Sequence, residues 1–192
     1  MSKETKALGV AAIALLFGLT ACSSPVESKT PAEQAQEQAT EVVEEPKEAP
    51  APEPGTTREN PLPIGSKVSD SEWEVTINSA NLDAGATLAG INQFNEAAPE
   101  GQVYVMVNAS VTYLGDDPAG QVPFSTIDYV SGAGNTISQA FVDTGSDFTM
   151  LDPLYGGATH TGETAFLVPA PVDGVLAVTP GMMSDKMFVA LQ

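Results

Sequence analysis

The sequence predicts an all-β domain of sandwich type, and three observations carry that prediction. Apolar and polar residues alternate at period two in several short runs, as half-buried strands require. Clusters of Gly, Pro and Asp interrupt those runs with turn chemistry. No helix of ordinary length is visible anywhere in residues 61–192. Many short alternating strands between such turns build a two-sheet sandwich or, as the alternative, a closed barrel.

The strands can be justified in order. Lys67–Ser69 reads as a short edge strand. Trp73, Val75 and Ile77 alternate with Glu72, Glu74, Thr76 and Asn78, which makes Trp73 a core anchor in phase with its apolar neighbours. In residues 84–101, Leu88, Ile91 and Phe94 support one short helical turn. Val103, Val105, Val107, Ala109, Val111 and Tyr113 then form the inward side of a long strand, which Gly115-Asp116-Asp117-Pro118 ends. Phe124–Val130 is followed by Gly132-Ala133-Gly134-Asn135, a hairpin connection to Thr136–Val142. Thr164–Val168, Val175–Val178 and Lys186–Leu191 bring the set to about eight.

Two other segments precede this domain. Residues 1–21 have the pattern of a secretory signal: Lys3 and Lys6, then the uncharged run Ala7–Leu19. That run of 13 residues is short of the roughly 20 that a spanning helix needs. It ends in Leu19-Thr20-Ala21-Cys22, which resembles the lipobox of bacterial lipoproteins. The resemblance implies cleavage between Ala21 and Cys22 and a diacylglyceryl group on the Cys22 thiol. Ordinary secretion would instead want a small residue where Leu19 stands.

Residues 22–60 carry that Cys and a Pro/Glu-rich stretch. Residues 23–60 hold 6 Pro and 9 Glu but no aromatic residue. Such a composition cannot bury enough apolar surface to offset its ordering entropy, so a disordered tether is expected. Residues 61–192 are the domain.

Composition excludes several functions. A formal charge of −18 disfavours nucleic acid as a partner and fits either a basic or cation-bridged partner or adaptation to a saline habitat. The single Cys rules out a disulfide framework and a Cys-based zinc site. His160 is the only imidazole, and no nucleophile elbow, phosphate loop or metalloprotease helix is present. The expectation is a non-enzyme without a cofactor.

Three groups remain as candidate sites. Asn92, Phe94 and Asn95, in a connection longer than most, offer amide hydrogen bonding around one aromatic ring, as a contact loop does. The competing expectation is that Leu88, Ile91 and Phe94 cap one end of the sandwich. Asp143, Asp147 and Asp152 place hard oxygen ligands in one loop, as calcium prefers, although the twelfth position of an EF-hand would fall on Leu154. The competing reading is that these acids solubilise a β-protein and blunt its edges. Met182, Met183 and Met187 with His160 are soft copper ligands, with Met187 in phase with a core-facing strand.

A wider resemblance spans residues 60–192. Asn60-Pro61-Leu62-Pro63-Ile64-Gly65, Trp73-Glu74-Val75, Asn95-Glu96-Ala97-Ala98-Pro99, the strand Val103–Tyr113 and Phe188-Val189-Ala190 follow one another in a recognisable order. That order resembles an actinobacterial lipoprotein family with a domain of unknown function, of telokin-like, immunoglobulin-like type. The mycobacterial secreted immunoprotective antigen is a relative of that family by fold. The resemblance implies an immunoglobulin-like antiparallel β-sandwich on the extracytoplasmic face of the plasma membrane, and no catalytic residue. The function expected is display of a binding or interaction module, with the membrane and an unidentified protein or envelope ligand as partners. The alternative is a metal- or small-ligand-binding domain, calcium before copper. One sandwich is small for the two-lobed binding protein of a transporter, and a structural spacer remains a further alternative.

Overall fold

The computed structural model describes residues 51–149 and 152–192. The signal segment, Cys22 and most of the tether lie outside the described residues. The unit Glu48–Gln192 contains every described strand and both buried apolar clusters. It therefore closes its own core and folds as a domain by itself. Among the described residues no helix is long and apolar enough to cross a membrane.

Among the described residues, eight strands form two four-stranded antiparallel sheets. The first contains β1 (Lys67–Ser69), β2 (Trp73–Asn81), β3 (Gln102–Tyr113) and β6 (Thr159–Pro169), side by side in that order. The second has the order β5-β4-β7-β8, from β4 (Thr126–Val130), β5 (Thr136–Ile137), β7 (Val175–Thr179) and β8 (Met187–Val189). This is the sandwich, not the barrel.

The alternation places the core as expected. Trp73, Val75 and Ile77 of β2 and Val105, Val107, Ala109, Val111 and Tyr113 of β3 are buried between the sheets. They meet Ile127, Tyr129, Leu176 and Val178 of the second sheet. Trp73 packs on Tyr113, its register partner, with ring centroids 4.8 Å apart and 40° between planes. The register of β2 against β3 shifts at Asn78, an extra residue between Ile77 and Ser79. The bulge reverses the phase, so Ala80 takes up the inward position beside Val107. Asn78 itself donates to Asn108 Oδ1 and Ser110 Oγ, both at 2.9 Å.

Besides the shorter β4, expected from Phe124, and β8, expected over Lys186–Leu191, four features depart from the sequence expectation. First, Tyr104 and Met106 are buried although they lie on the opposite side of β3. The short helix α1 (Gly85–Ile91) lies over that outer face, packing Ala84 and Leu88 against Tyr104, Met106 and Ala165. The helix has no side-chain N-cap, so its position rests on Leu88, which is 1 % exposed.

Second, β5 has two residues and does not continue to Val142. The hairpin through Gly134, at φ 88°, forms as expected, with Ser131 N–H donating to Asn135 O at 3.0 Å. After it the chain crosses to the first sheet and covers the outer edge of β6. Ala140 N–H donates to Ala165 O at 2.7 Å and Phe148 N–H to Glu163 O at 2.9 Å. Phe148 closes the seam as a buried plug. Covering an edge strand in this way removes a template for pairing with other chains.

Third, β6 begins five residues earlier than Thr164, because residues from Thr159 on pair along the whole of β3. Fourth, the fold takes in residues that composition assigns to the tether. Gly55 O accepts the Phe188 N–H at 2.7 Å, and the Arg58 guanidinium donates to Ser131 O at 3.3 Å. A few backbone bonds and one cation suffice to hold a segment with little apolar content.

Candidate functional site

The two loop candidates of the sequence are one structure. Asn95 clamps the backbone of Asp143, its Oδ1 accepting the Asp143 N–H and its Nδ2 donating to Asp143 O, each at 2.8 Å. The same Nδ2 donates to Leu88 O at 2.9 Å, a carbonyl that also accepts the Asn92 N–H at 3.0 Å at the end of α1. Asn92 Nδ2 donates to Asp143 Oδ2 at 3.0 Å, and Asn92 Oδ1 accepts the Phe94 N–H at 3.0 Å. The loop is thus pinned on both sides of Phe94, yet Phe94 itself is 83 % exposed. Ile91, 40 % exposed, lies against Gly145, and Phe141 is fully exposed on the connected segment. The expectation of an end cap divides accordingly: Leu88 packs as a core residue, while Phe94 caps nothing.

The acidic residues are engaged within their own loop. Asp143 Oδ1 accepts the Gly145 N–H at 2.8 Å while Oδ2 takes the Asn92 amide. These two donors hold the Asp143 carboxyl below its ordinary range. Asp147 Oδ1 accepts from the Thr144 hydroxyl at 2.9 Å, and its carbonyl oxygen lies 2.8 Å from His160 Nε2. Asp152 is exposed farther along the chain. Among the described residues no three His, Cys, Asp or Glu side chains converge as metal ligands would. The copper group is likewise dispersed. Met187 packs against the core on β8, Met182 and Met183 are exposed before it, and His160 is on β6 of the other sheet.

Two cavities were not anticipated by the sequence reading. One, of about 310 Å³, opens at the end of the sandwich between the turn before β2 and the connection after β7, with Trp73, Phe124 and Met182 among its walls. Asp70 ties these two sheets' ends together. Its Oδ1 accepts the N–H groups of Glu72 and Trp73, both at 2.7 Å, and its Oδ2 accepts the Ser184 hydroxyl. Phe124 also borders a second cavity, of about 330 Å³, in the seam between the sheets. Phe124, predicted to open a strand, is instead an exposed residue just ahead of β4. Thr164 was legible as a polar residue in the inward phase of Phe166 and Val168, the one signal in the sequence that pointed to this seam.

Asp70 gives a pH test. Burial pushes its carboxyl up, but the Ser184 hydroxyl and the two N–H donors outweigh this and hold it below its ordinary 3.8. The unfolded chain therefore takes up this proton more readily, so the contribution is complete above pH 3.8 and is lost as pH falls through the folded value. Asp70→Asn keeps one acceptor and loses the other, at a cost of roughly 1 kcal/mol near neutrality. Melting curves of the two proteins should differ by a constant amount from pH 5 to 8 and converge below pH 3.8. A gap that widened in acid would contradict the assignment.

No family model matches the chain, and no curated protein matches it. Several solved structures are similar to it. The yjhA protein of Bacillus subtilis is 13 % identical over 68 % of this chain and 99 % of its own, with a TM-score of 0.48. A candidate lipoprotein of the same organism, ycdA, is 17 % identical over 62 % of this chain and 35 % of its own, at 0.44. The secreted protein MPT63 of Mycobacterium tuberculosis is 14 % identical over 67 % of this chain and 95 % of its own, at 0.42. The sandwich architecture rests on this chain's own strand pairing.

Proposed function

We propose that the chain is a cell-envelope lipoprotein, anchored through Cys22 at the extracytoplasmic face of the plasma membrane, whose β-sandwich is a non-catalytic contact module. Membership of the actinobacterial lipoprotein family belongs to this reading and is carried by the sequence order given above. The lipobox and the acidic tether support the anchoring. The observation that carries the contact role is the pinned Phe94: a large aromatic left in water by a loop that two Asn side chains hold in place. An ordered, exposed aromatic loses little conformational freedom on binding, which is why such residues dominate contact energies. The partner is a protein or envelope ligand with an apolar spot in a basic surround. Within residues 61–192 the only Lys or Arg are Lys67 and Lys186, against 15 acids.

Two substitutions separate contact from packing. Phe94→Ala should change stability by no more than about 0.5 kcal/mol, as exposed positions do. Leu88→Ala should cost about 3 kcal/mol, because it empties the pocket over Tyr104 and Met106. On intact cells, chemical cross-linking should yield a discrete adduct with the native chain and lose it with Phe94→Ala. An adduct unaffected by Phe94→Ala, or a stability loss there matching that of Leu88→Ala, would refute the contact role.

A further inference from the structure

The cavity at the end of the sandwich brings together three separate segments: residues 70–73 at the start of β2, Gln121, Val122 and Phe124 before β4, and residues 181–184 after β7. Its volume of about 310 Å³ is at the lower end of the range for small-molecule sites. Ser184 N–H donates to Gly181 O at 3.1 Å, a tight turn whose two central residues are Met182 and Met183. Both Met side chains and the Phe124 ring line the cavity while exposed to water. Trp73 is buried at its base and keeps its core packing on Tyr113. The walls are held in place. Asp70 ties residues 72 and 73 to Ser184, and Gly181 lets the turn come close, since a Cβ there would stand 2.5 Å from Asp70 Oδ2 and 3.3 Å from Trp73 Cδ1.

The electrostatics of this cavity are one-sided. Asp70 and Glu72 line it, and no Lys, Arg or His does. With 15 acids against two cations in residues 61–192, the domain as a whole concentrates cations and repels anions. Asp70 acts there as a fixed charge, because three donors already occupy its oxygens. It attracts a cation but has little to offer an N–H group. A cation without N–H groups loses nothing by this, and an exposed phenyl ring and polarisable thioethers suit its methyl groups. We infer that the cavity binds a small quaternary ammonium ion of the choline type, with Phe124, Met182 and Met183 against the methyl groups and Asp70 and Glu72 as countercharge. A phosphocholine headgroup carries the same ammonium, but its phosphate would face the two carboxylates, so the free cation is the ligand. This site is separate from the Phe94 loop and goes beyond the contact role proposed above.

Trp73 is the only Trp of the chain and borders the cavity, so its fluorescence reports occupancy without a label. The test titrates residues 48–192, the unit that closes its own core, with choline at constant ionic strength, followed by that fluorescence and by calorimetry. Choline should bind saturably and one-to-one. The uncharged carbon isostere 3,3-dimethylbutan-1-ol and phosphocholine should each bind roughly ten-fold more weakly or worse. Glu72→Gln should weaken choline roughly three-fold. Glu100→Gln makes the same change of charge at the opposite end of β3 and should leave affinity unchanged, as should Phe94→Ala. Phe124→Leu keeps an apolar side chain but removes the π face, and should weaken choline roughly three-fold. No saturable binding by either method, equal binding of the carbon isostere, equal losses from Glu72→Gln and Glu100→Gln, or unchanged affinity in Phe124→Leu would each overturn the inference. Equal binding of phosphocholine would overturn the free cation in favour of a lipid headgroup.

Discussion

Phe166→Ala is expected to cost about 4 kcal/mol, the usual loss when a fully buried aromatic is cut back in a core that cannot collapse. Phe166 lies on β6 opposite Val105 and reaches across to Tyr129 of the second sheet, with ring centroids 6.4 Å apart. It therefore joins the two sheets on the side where the segment carrying Phe148 covers the seam. With one Cys in the chain, no disulfide can share that task. Set against a typical domain stability of 5–15 kcal/mol, the loss is a large fraction of the total. For a domain of this size it corresponds to roughly 12 °C in melting temperature. Phe166→Leu, which keeps most of the volume, should cost about 1.5 kcal/mol. Urea unfolding of residues 48–192 and of both variants measures the series. An Ala variant within 1 kcal/mol of the native protein would mean that the two sheets are not held together here.

What the sequence made legible is what depends on local alternation. Trp73-Val75-Ile77 and Val103–Tyr113 could be read because a strand with one solvated face repeats every two residues. The burial of Tyr104 and Met106 could not, since nothing near them shows that residues 84–91 return over the outer face of β3. The bulge at Asn78 hid the inward phase of Ala80 for a similar reason: one extra residue exchanges the two faces. The truncation of β5 was invisible because Ile137, Phe141 and Val142 give residues 136–142 enough apolar, strand-forming content to be read as one strand, while Ala140 and Phe148 pair elsewhere. Their partner is β6 of the other sheet, a long-range choice.

The candidate site follows the same rule. Asn92, Phe94 and Asn95 stood out by type, and Asp143 stood out as an acid in a turn. That Asn95 and Asn92 grip Asp143 across 48 and 51 residues is a tertiary fact that neither segment announces. The grip also changes the meaning of the acid. Asp143 presents no carboxylate oxygen free of a donor, so its place in the fold is accounted for without a cation.

The claim on which the proposed role depends is attachment at the membrane, and Cys22→Ser tests it most directly. In the lipoprotein reading the Cys22 sulfur carries a diacylglyceryl group, and two acyl chains anchor a protein stably where one is marginal. Serine has no thiol to alkylate, so the variant loses the anchor while the 48–192 domain is untouched. The measurement is fractionation of cells producing the native chain or Cys22→Ser, followed by extraction of the membranes with salt and with detergent. The native chain should sediment with the membranes, resist salt and be released by detergent. Cys22→Ser should leave the membrane fraction almost completely. A Cys22→Ser protein that remained membrane-bound as firmly as the native chain would contradict lipid anchoring, and the display role with it.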